Sequence, residues 1–290
     1  MKPSLRLTHS ALLLLFCCHG ALAQVPADSV AEASTAEVAA QAVPGGILVL
    51  PLPPAAASAT FQQRPVLILA GNAIVGIPLS APPGQHTLNV LDKHGKLSSH
   101  AFAIDAKQYP EQRLTIANPR MVNPIEQDLE RIRAESARMR SAYMNFIQQD
   151  TTGIRPFIKP VSGVTSSPFG HRRILNDQPR SPHSGLDIAA STGTPVAAPA
   201  PGTVTITGEF YFNGNTVFLD HGQGLITMYC HLSEIKVTEG IQIERGEILG
   251  LVGATGRVTG PHLHWSVSLN GHRVDPELAI AVLSDAPAPD

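Results

Sequence analysis

A chain of 290 residues with 43% hydrophobic side chains is long enough for two domains and can give each a modest core. Its 21 basic and 23 acidic residues leave a net charge of −2, which excludes a broad basic surface for nucleic acid. Of its three cysteines, Cys17 and Cys18 lie near the start and only Cys230 lies further on, which excludes an internal disulfide framework.

Residues 1–23 read as a secretory signal. Lys2 and Arg6 give the positive start, residues 11–18 form an apolar run too short to span a bilayer, and Ala21-Leu22-Ala23 is a small-x-small cleavage site. Phe16 before Cys17 is too bulky for a lipid-attachment box. Removing the signal takes two basic residues and no acid, so the net charge moves from −2 to −4. No later apolar run is long enough to cross a membrane, so no stable insertion is expected afterwards. Residues 24–43, rich in Ala, Val and acid, read as a linker.

From 44 to 118 the pattern is one of short β-like runs, at 47–50, 65–69, 74–77, 87–90 and 100–104. Turn signals separate them: Gly71-Asn72, Pro82-Pro83-Gly84 and His94-Gly95. This predicts a small β-sandwich, Ig-like in outline. His86, His94 and His100 lack metal-ligand spacing and read as polar surface; Phe61 and Phe102 read as isolated. Asn123-Pro124 then suits an N-cap and first helical position, with Glu126 and Asp128 in the first turn. Ile125, Leu129, Ile132, Met139, Tyr143 and Phe146 recur at helical spacing. A connecting α-helix is therefore predicted within 119–152, spanning about 123–149. Residues 158–284 are dense in turn signals between strand-like runs, which predicts an antiparallel β domain followed by a short tail at 285–290. The predicted class is mainly β.

The chemistry concentrates in two stretches. His183-Ser184-Gly185-Leu186-Asp187 and Pro261-His262-Leu263-His264-Trp265 together supply three imidazoles and a carboxylate. A catalytic zinc takes three such ligands and keeps one position open. Residues two apart on a strand share a face, so His262 and His264 can reach one point, one as ligand and the other beside the open position. His183 and Asp187, four apart around Gly185, fall on one side of an extended segment.

The ordered set H-x-x-x-D and G-P-H-L-H-W is joined by Ser167-Pro168-Phe169-Gly170 with Arg172, by Tyr229-Cys230-His231-Leu232, and by Gly253-Ala254-Thr255-Gly256-Arg257 with Thr259-Gly260-Pro261. Over residues 158–284 the chain resembles the lysostaphin-type (LytM-like) zinc endopeptidases of bacterial cell walls. That resemblance implies His183, Asp187 and His264 as ligands of one zinc per chain, with His262 unligated. It implies His231 and His262 as general base and oxyanion donor, in an order left open. It further implies hydrolysis of peptide cross-links in peptidoglycan, of the D-alanyl–diaminopimelate type where the setting is a Gram-negative periplasm. The alternative is a silent relative that activates cell-wall amidases; all five expected positions are filled, which argues against it. Many relatives carry an acid where this chain has Ser266.

Other readings are plainer. Cys230 and His231 are adjacent, so strand alternation argues against a nucleophile–base pair, and Cys230 reads as a small buried residue. His171, His221 and His272 read as structural, and Asp220 and Tyr229 as candidates to support the site. The glycines of 253–256 read as a tight turn, since no Lys follows in phosphate-loop spacing. The half before the peptidase-like domain is expected to position or shield the cleft. A regulatory protein is not identified by any residue.

Overall fold

The computed structural model describes residues 41–149, 151 and 153–284, all within one compact unit. The predicted signal, most of the linker and the tail lie outside the described residues.

The mainly β expectation holds. Three strands, Ile47–Pro51, Asn72–Gly76 and Leu67–Leu69, form one small antiparallel sheet. Four others, Arg64–Pro65, Ala56–Phe61, Gly84–Asp92 and Leu97–Ile104, form a second. Leu88 and Val90 alternate inward on one long strand, and Phe102 and Ile104 on the next. They meet Val75 and Ile77 of the first sheet in a common core. Phe61 and Phe102 are not isolated: their rings lie 5.5 Å apart in that core, and His86 packs at 6.0 Å from each. The Ala56–Phe61 strand escaped notice because most of its side chains are small.

The second region is built on an eight-stranded antiparallel sheet. From one edge it runs Gln242–Ile243, Gly202–Phe210, Gly214–Asp220, Ile226–Leu232, His262–Leu269, Leu186–Ala189 and Val164–Ser167, with His272–Val274 pairing beside His262–Leu269. One face carries Val217, Leu219, Tyr229, Leu263, Trp265 and Val267 into the main core. Phe157 stacks on Trp265 at 6.0 Å. The opposite face carries Ile206, Phe210, Phe218, Met228 and Cys230, against which Tyr143 packs.

The two modest cores expected are both present, but part of the sandwich also enters the larger one. Ile47, Leu67, Leu69 and Ile74 leave the sandwich to enter the main core with Leu269 and Leu283. Buried Asn270 clasps the junction: its amide oxygen accepts from Gly76 N–H at 2.7 Å and its amide nitrogen donates to Gly76 O at 3.0 Å. A side chain at Gly76 would meet Leu269 at 2.8 Å, so the two regions touch backbone to backbone there.

The connecting helix, α1, covers Glu126–Tyr143, shorter at both ends than its spacing predicted. Asn123 is not its cap. Ile125 holds that position, and Asp128 reaches back to accept from Ile125 N–H at 3.2 Å. Arg120 holds the same carboxylate with two bonds of 2.7 and 2.6 Å, and the Tyr211 hydroxyl donates to it at 3.0 Å. The apolar stripe is only partly used, since α1 buries Asp128 and Tyr143 while Ile125 stays exposed. A second helix, α2, Pro276–Ser284, was not anticipated; its Ala279, Val282 and Leu283 close the main core.

Candidate metal centre

Asp187 stands on the Leu186–Ala189 strand directly opposite His264 on the His262–Leu269 strand. Opposed residues of an antiparallel pair project from the same face. His262 and His264 share that face, while Leu263 and Trp265 are fully buried beneath it. His183 lies in the loop leading into the Asp187 strand, held by two backbone bonds of 2.8 Å to Gly170 and His171. Gly185 lets this loop close, because a Cβ there would sit 2.7 Å from the His264 ring.

Three donor atoms converge. His183 Nε2 lies 3.0 Å from Asp187 Oδ1, His264 Nδ1 lies 2.7 Å from it, and the two nitrogens are 3.1 Å apart. Ligands on a tetrahedral zinc at about 2.0–2.1 Å would stand roughly 3.3 Å from one another. The triangle is slightly tighter than that, so a small outward shift would admit the ion.

The hydrogen bonds behind the triangle fix the tautomers. His183 Nδ1–H donates to Pro168 O at 2.8 Å, which leaves a lone pair on Nε2. Buried Ser266 donates its hydroxyl to Ser184 O at 3.0 Å and therefore accepts from His264 Nε2–H at 3.1 Å, which leaves the lone pair on Nδ1. Both neutral rings then aim acceptors at a carboxylate oxygen. A cation at their centre satisfies all three, and the donor set, two imidazoles and one carboxylate, suits zinc. Burial opposes ionisation of Asp187, while an N–H turned towards it from His183 or His264 holds the carboxyl well below the ordinary range; in the tautomers above, a cation at the centre takes the place of those protons. Burial drives His264 down to about 4, partly offset by Asp187.

Arg173 completes the support. Its guanidinium donates to Asp187 Oδ2 at 2.7 Å, leaving Oδ1 for the centre. Sequence reasoning singled out its neighbour Arg172, whose side chain instead reaches Tyr109 O at 3.3 Å. In an Arg-Arg pair on a strand the two point to opposite sides, and no residue pattern says which side holds the acid.

His231 comes to the site by an irregularity. Cys230 pairs with His264 across the sheet. Simple alternation would turn His231 away, but its backbone has φ of 64°, next to a register shift at Asn215 and Val217. The ring lies 4.9 Å from His262 and 5.9 Å from His264. His231 Nδ1–H donates to Thr255 O and His262 Nδ1–H to Gly260 O, both at 2.8 Å, so each neutral ring keeps an Nε2 lone pair. Burial, with the nearby His264 and His262, drives His231 down to about 3, so it is neutral at pH 7. The 253–256 turn thus orients His231. Gly256 permits it, since a Cβ there would lie 2.4 Å from Gly214 N.

Other candidates fall elsewhere. Asp220 accepts from Asn145 at 2.6 Å, and Tyr229 is buried on the opposite face beside Thr227 at 2.8 Å; neither supports the centre. His221 is structural, bonded to Pro201 O at 2.7 Å and to the Thr227 hydroxyl at 2.9 Å. Cys230 is buried in the small apolar cluster, and burial pushes its thiol pKa up.

Comparison with known proteins agrees with this geometry. Residues 181–276 match Peptidase family M23, and residues 40–107 match the Peptidase family M23 N-terminal domain. The DD-carboxypeptidase/endopeptidase Mpg of Neisseria meningitidis is 45% identical over 111 residues, 38% of this chain and 26% of that protein. The peptidoglycan DD-endopeptidase ShyA of Vibrio cholerae is 43% identical over 111 residues, with the same two shares. The matched span is thus about a quarter of these relatives' length. A solved structure from Pseudomonas aeruginosa, assigned to peptidase M23, is 42% identical. It covers 83% of this chain and 96% of its own, with a TM-score of 0.69. Matched by both family models and by a 42%-identical structure that it covers to 96%, the chain belongs to peptidase family M23.

Proposed function

We propose that this protein is a zinc-dependent endopeptidase that hydrolyses peptide cross-links of peptidoglycan, of the D-alanyl–diaminopimelate type, in the periplasm. The observation that carries this reading is the convergence of His183 Nε2, Asp187 Oδ1 and His264 Nδ1 with the free Nε2 atoms of His231 and His262 alongside. The matched DD-carboxypeptidase/endopeptidase and peptidoglycan DD-endopeptidase support the substrate, and the signal read in residues 1–23 supports the compartment.

His183, Asp187 and His264 would hold the zinc. When bound, it would bring the pKa of a water in the open position to about 7 and polarise the scissile carbonyl. The chain's own residues do the rest. His231 and His262, whose Nδ1 protons are committed to backbone carbonyls, offer Nε2 as proton acceptor. A ring that has taken a proton there becomes a donor, first to the developing oxyanion and then to the leaving amine. Arg173 and Ser266 act through Asp187 and His264 by fixing their orientation.

We also propose that the N-terminal half shields the cleft. Arg180 donates to Val122 O and Asn123 Oδ1, both at 3.0 Å, and Arg257 donates to Met121 O at 3.3 Å. These arginines belong to the loops that lead into His183 and His262, so the 116–123 segment bridges both walls of the site.

The test is digestion of purified sacculi by the zinc-loaded protein, with products identified by mass. Cross-linked dimers should give way to monomers, and a chelator should stop this. Loss of glycan or amide linkages with cross-links intact would overturn the reading.

A further inference from the structure

A cavity of about 950 Å³ lies between the sandwich, α1 and the loop that carries His183. We infer that it binds an acidic peptide through free carboxylates, and so holds part of the stem peptide of the substrate against the loop that carries His183; this rests on the peptidoglycan reading above.

Three guanidiniums line the cavity, and they come from three parts of the fold. Arg64 is on the Arg64–Pro65 strand of the sandwich, Arg140 is on α1, and Arg273 is on the His272–Val274 strand. No Asp or Glu lines the cavity. Among the described residues, none of the three takes part in an ion pair, whereas Arg113, Arg120, Arg131, Arg138 and Arg173 all do. Arg64 donates to the Met144 sulfur, a weak acceptor, and Arg273 lies 5.4 Å over the Tyr143 ring. A guanidinium keeps its charge at any working pH. Three such groups around one space repel one another, in a chain whose net charge is −2. An anion relieves this, and the planar fork of arginine matches a carboxylate with two parallel bonds.

Position decides which anion. Ser184 lines the cavity and is the residue after His183; its carbonyl takes the hydroxyl proton of Ser266, which in turn orients His264. One wall of the cavity is therefore the loop that carries the metal ligand His183, with Ser184 the next residue along the chain. The volume suits a short peptide rather than a single ion. Stem peptides that contain γ-linked glutamate and a diamino diacid keep carboxylates outside their amide backbone, so they present two or more anions along an extended chain. Arg64 makes the site composite: it lies in the half of the chain that the zinc chemistry does not need.

The test is calorimetric titration of the zinc-loaded protein with three probes: alanyl-γ-glutamyl-diaminopimelate, the same peptide with its free carboxyls amidated, and inorganic phosphate. Partly exposed ion pairs are each worth less than about fivefold in affinity, so the triple variant Arg64→Gln, Arg140→Gln, Arg273→Gln should bind the acidic peptide about tenfold or more weakly. The amidated peptide should bind the wild type as weakly as the acidic peptide binds the variant. The single Arg140→Gln change, at an exposed helix position, should show a smaller loss in the same direction without threatening the fold. Equal binding of both peptides, or a triple variant that binds like wild type, would overturn the inference, and phosphate binding more tightly than the peptide would replace a carboxylate site with a phosphate one. A protein that binds the acidic peptide yet leaves cross-linked dimers uncut loses the endopeptidase reading alone. One that cuts dimers but ignores the carboxylates loses this inference alone.

Discussion

Ser266 offers the sharpest test of how the zinc ligands are prepared. Its side chain is fully buried and makes two bonds, accepting from His264 Nε2–H and donating to Ser184 O. In Ser266→Ala both partners lose their mate. The His264 ring can then move its proton to Nδ1 and donate to Asp187 Oδ1, 2.7 Å away. That tautomer hides the lone pair that zinc needs, so binding must first reverse it. A net hydrogen bond is worth about 0.5–1.5 kcal/mol, and removing support behind a metal-bound histidine typically costs about 10- to 100-fold in affinity. About tenfold weaker zinc binding is therefore expected, read by competition with a chromophoric chelator. Ser268→Ala is the control. Ser268 is also fully buried, but its hydroxyl has no partner, so its loss should leave zinc affinity unchanged and stability equal or slightly higher. If Ser266→Ala binds zinc like wild type, or both variants weaken it alike, the tautomer argument is wrong.

His231→Ala and His262→Ala should each retain zinc and lose about 10²- to 10³-fold in turnover, while His183→Ala should lose the metal as well, as read by metal analysis beside muropeptide cleavage. His221 is fully buried and driven by burial to about 4, below its unfolded value, so the unfolded chain binds the extra proton and stability falls as pH drops from about 6.5 towards 4. Across that window the loss from this one group is roughly 3 kcal/mol, and urea melts at pH 7 and pH 5 should show a smaller difference in His221→Gln than in wild type. Asn176→Ala combined with Arg180→Gln removes side-chain bonds that tie Ile116, Val122 and Asn123 to the wall of the site. Shielding requires faster cleavage of soluble muropeptides by this variant, about fivefold for each ~1 kcal/mol of lost hydrogen bonding, and an unchanged or slower rate would end that proposal.

The centre was legible where regular geometry governs it. His262 and His264 share a face because strands alternate, and Asp187 meets His264 because antiparallel neighbours oppose. His231 was located by motif alone, since its left-handed backbone breaks the alternation that a residue pattern can follow. Ser266 was noted only as a departure from its relatives and Arg173 not at all, because each acts through a partner set by tertiary contact. The limits of α1 were misjudged for a similar reason. Asn123 has the chemistry of a cap, yet Arg180 takes its side-chain oxygen, and Asp128 caps from inside the helix once Arg120 and Tyr211 hold it. The run 276–284 is almost continuously apolar and so shows no helical period, which left α2 without a signal.

The joined core bears on how the N-terminal half can act. A removable spacer would be expected to keep its apolar residues to itself and meet its neighbour through polar surface. Here Ile47, Leu67, Leu69 and Ile74 share a core with Leu269 and Leu283, and Asn270 satisfies both backbone groups of Gly76. Cutting the chain near residue 158 would therefore expose part of the peptidase core as well as freeing the cleft, and a changed rate in such a fragment would mix two causes. The bridge over the site is held differently. Around Met121, Val122 and Asn123 the contacts to Arg180 and Arg257 are hydrogen bonds that water can replace at small cost, and the apolar anchor beneath them is only the small cluster of Ile116, Val122 and Leu175. Free energies of opening should thus be low at the 116–123 segment and high at the Gly76 junction. The half that is fixed by its core supplies a firm anchor, and on the shielding proposal the 116–123 segment is the part that would lift.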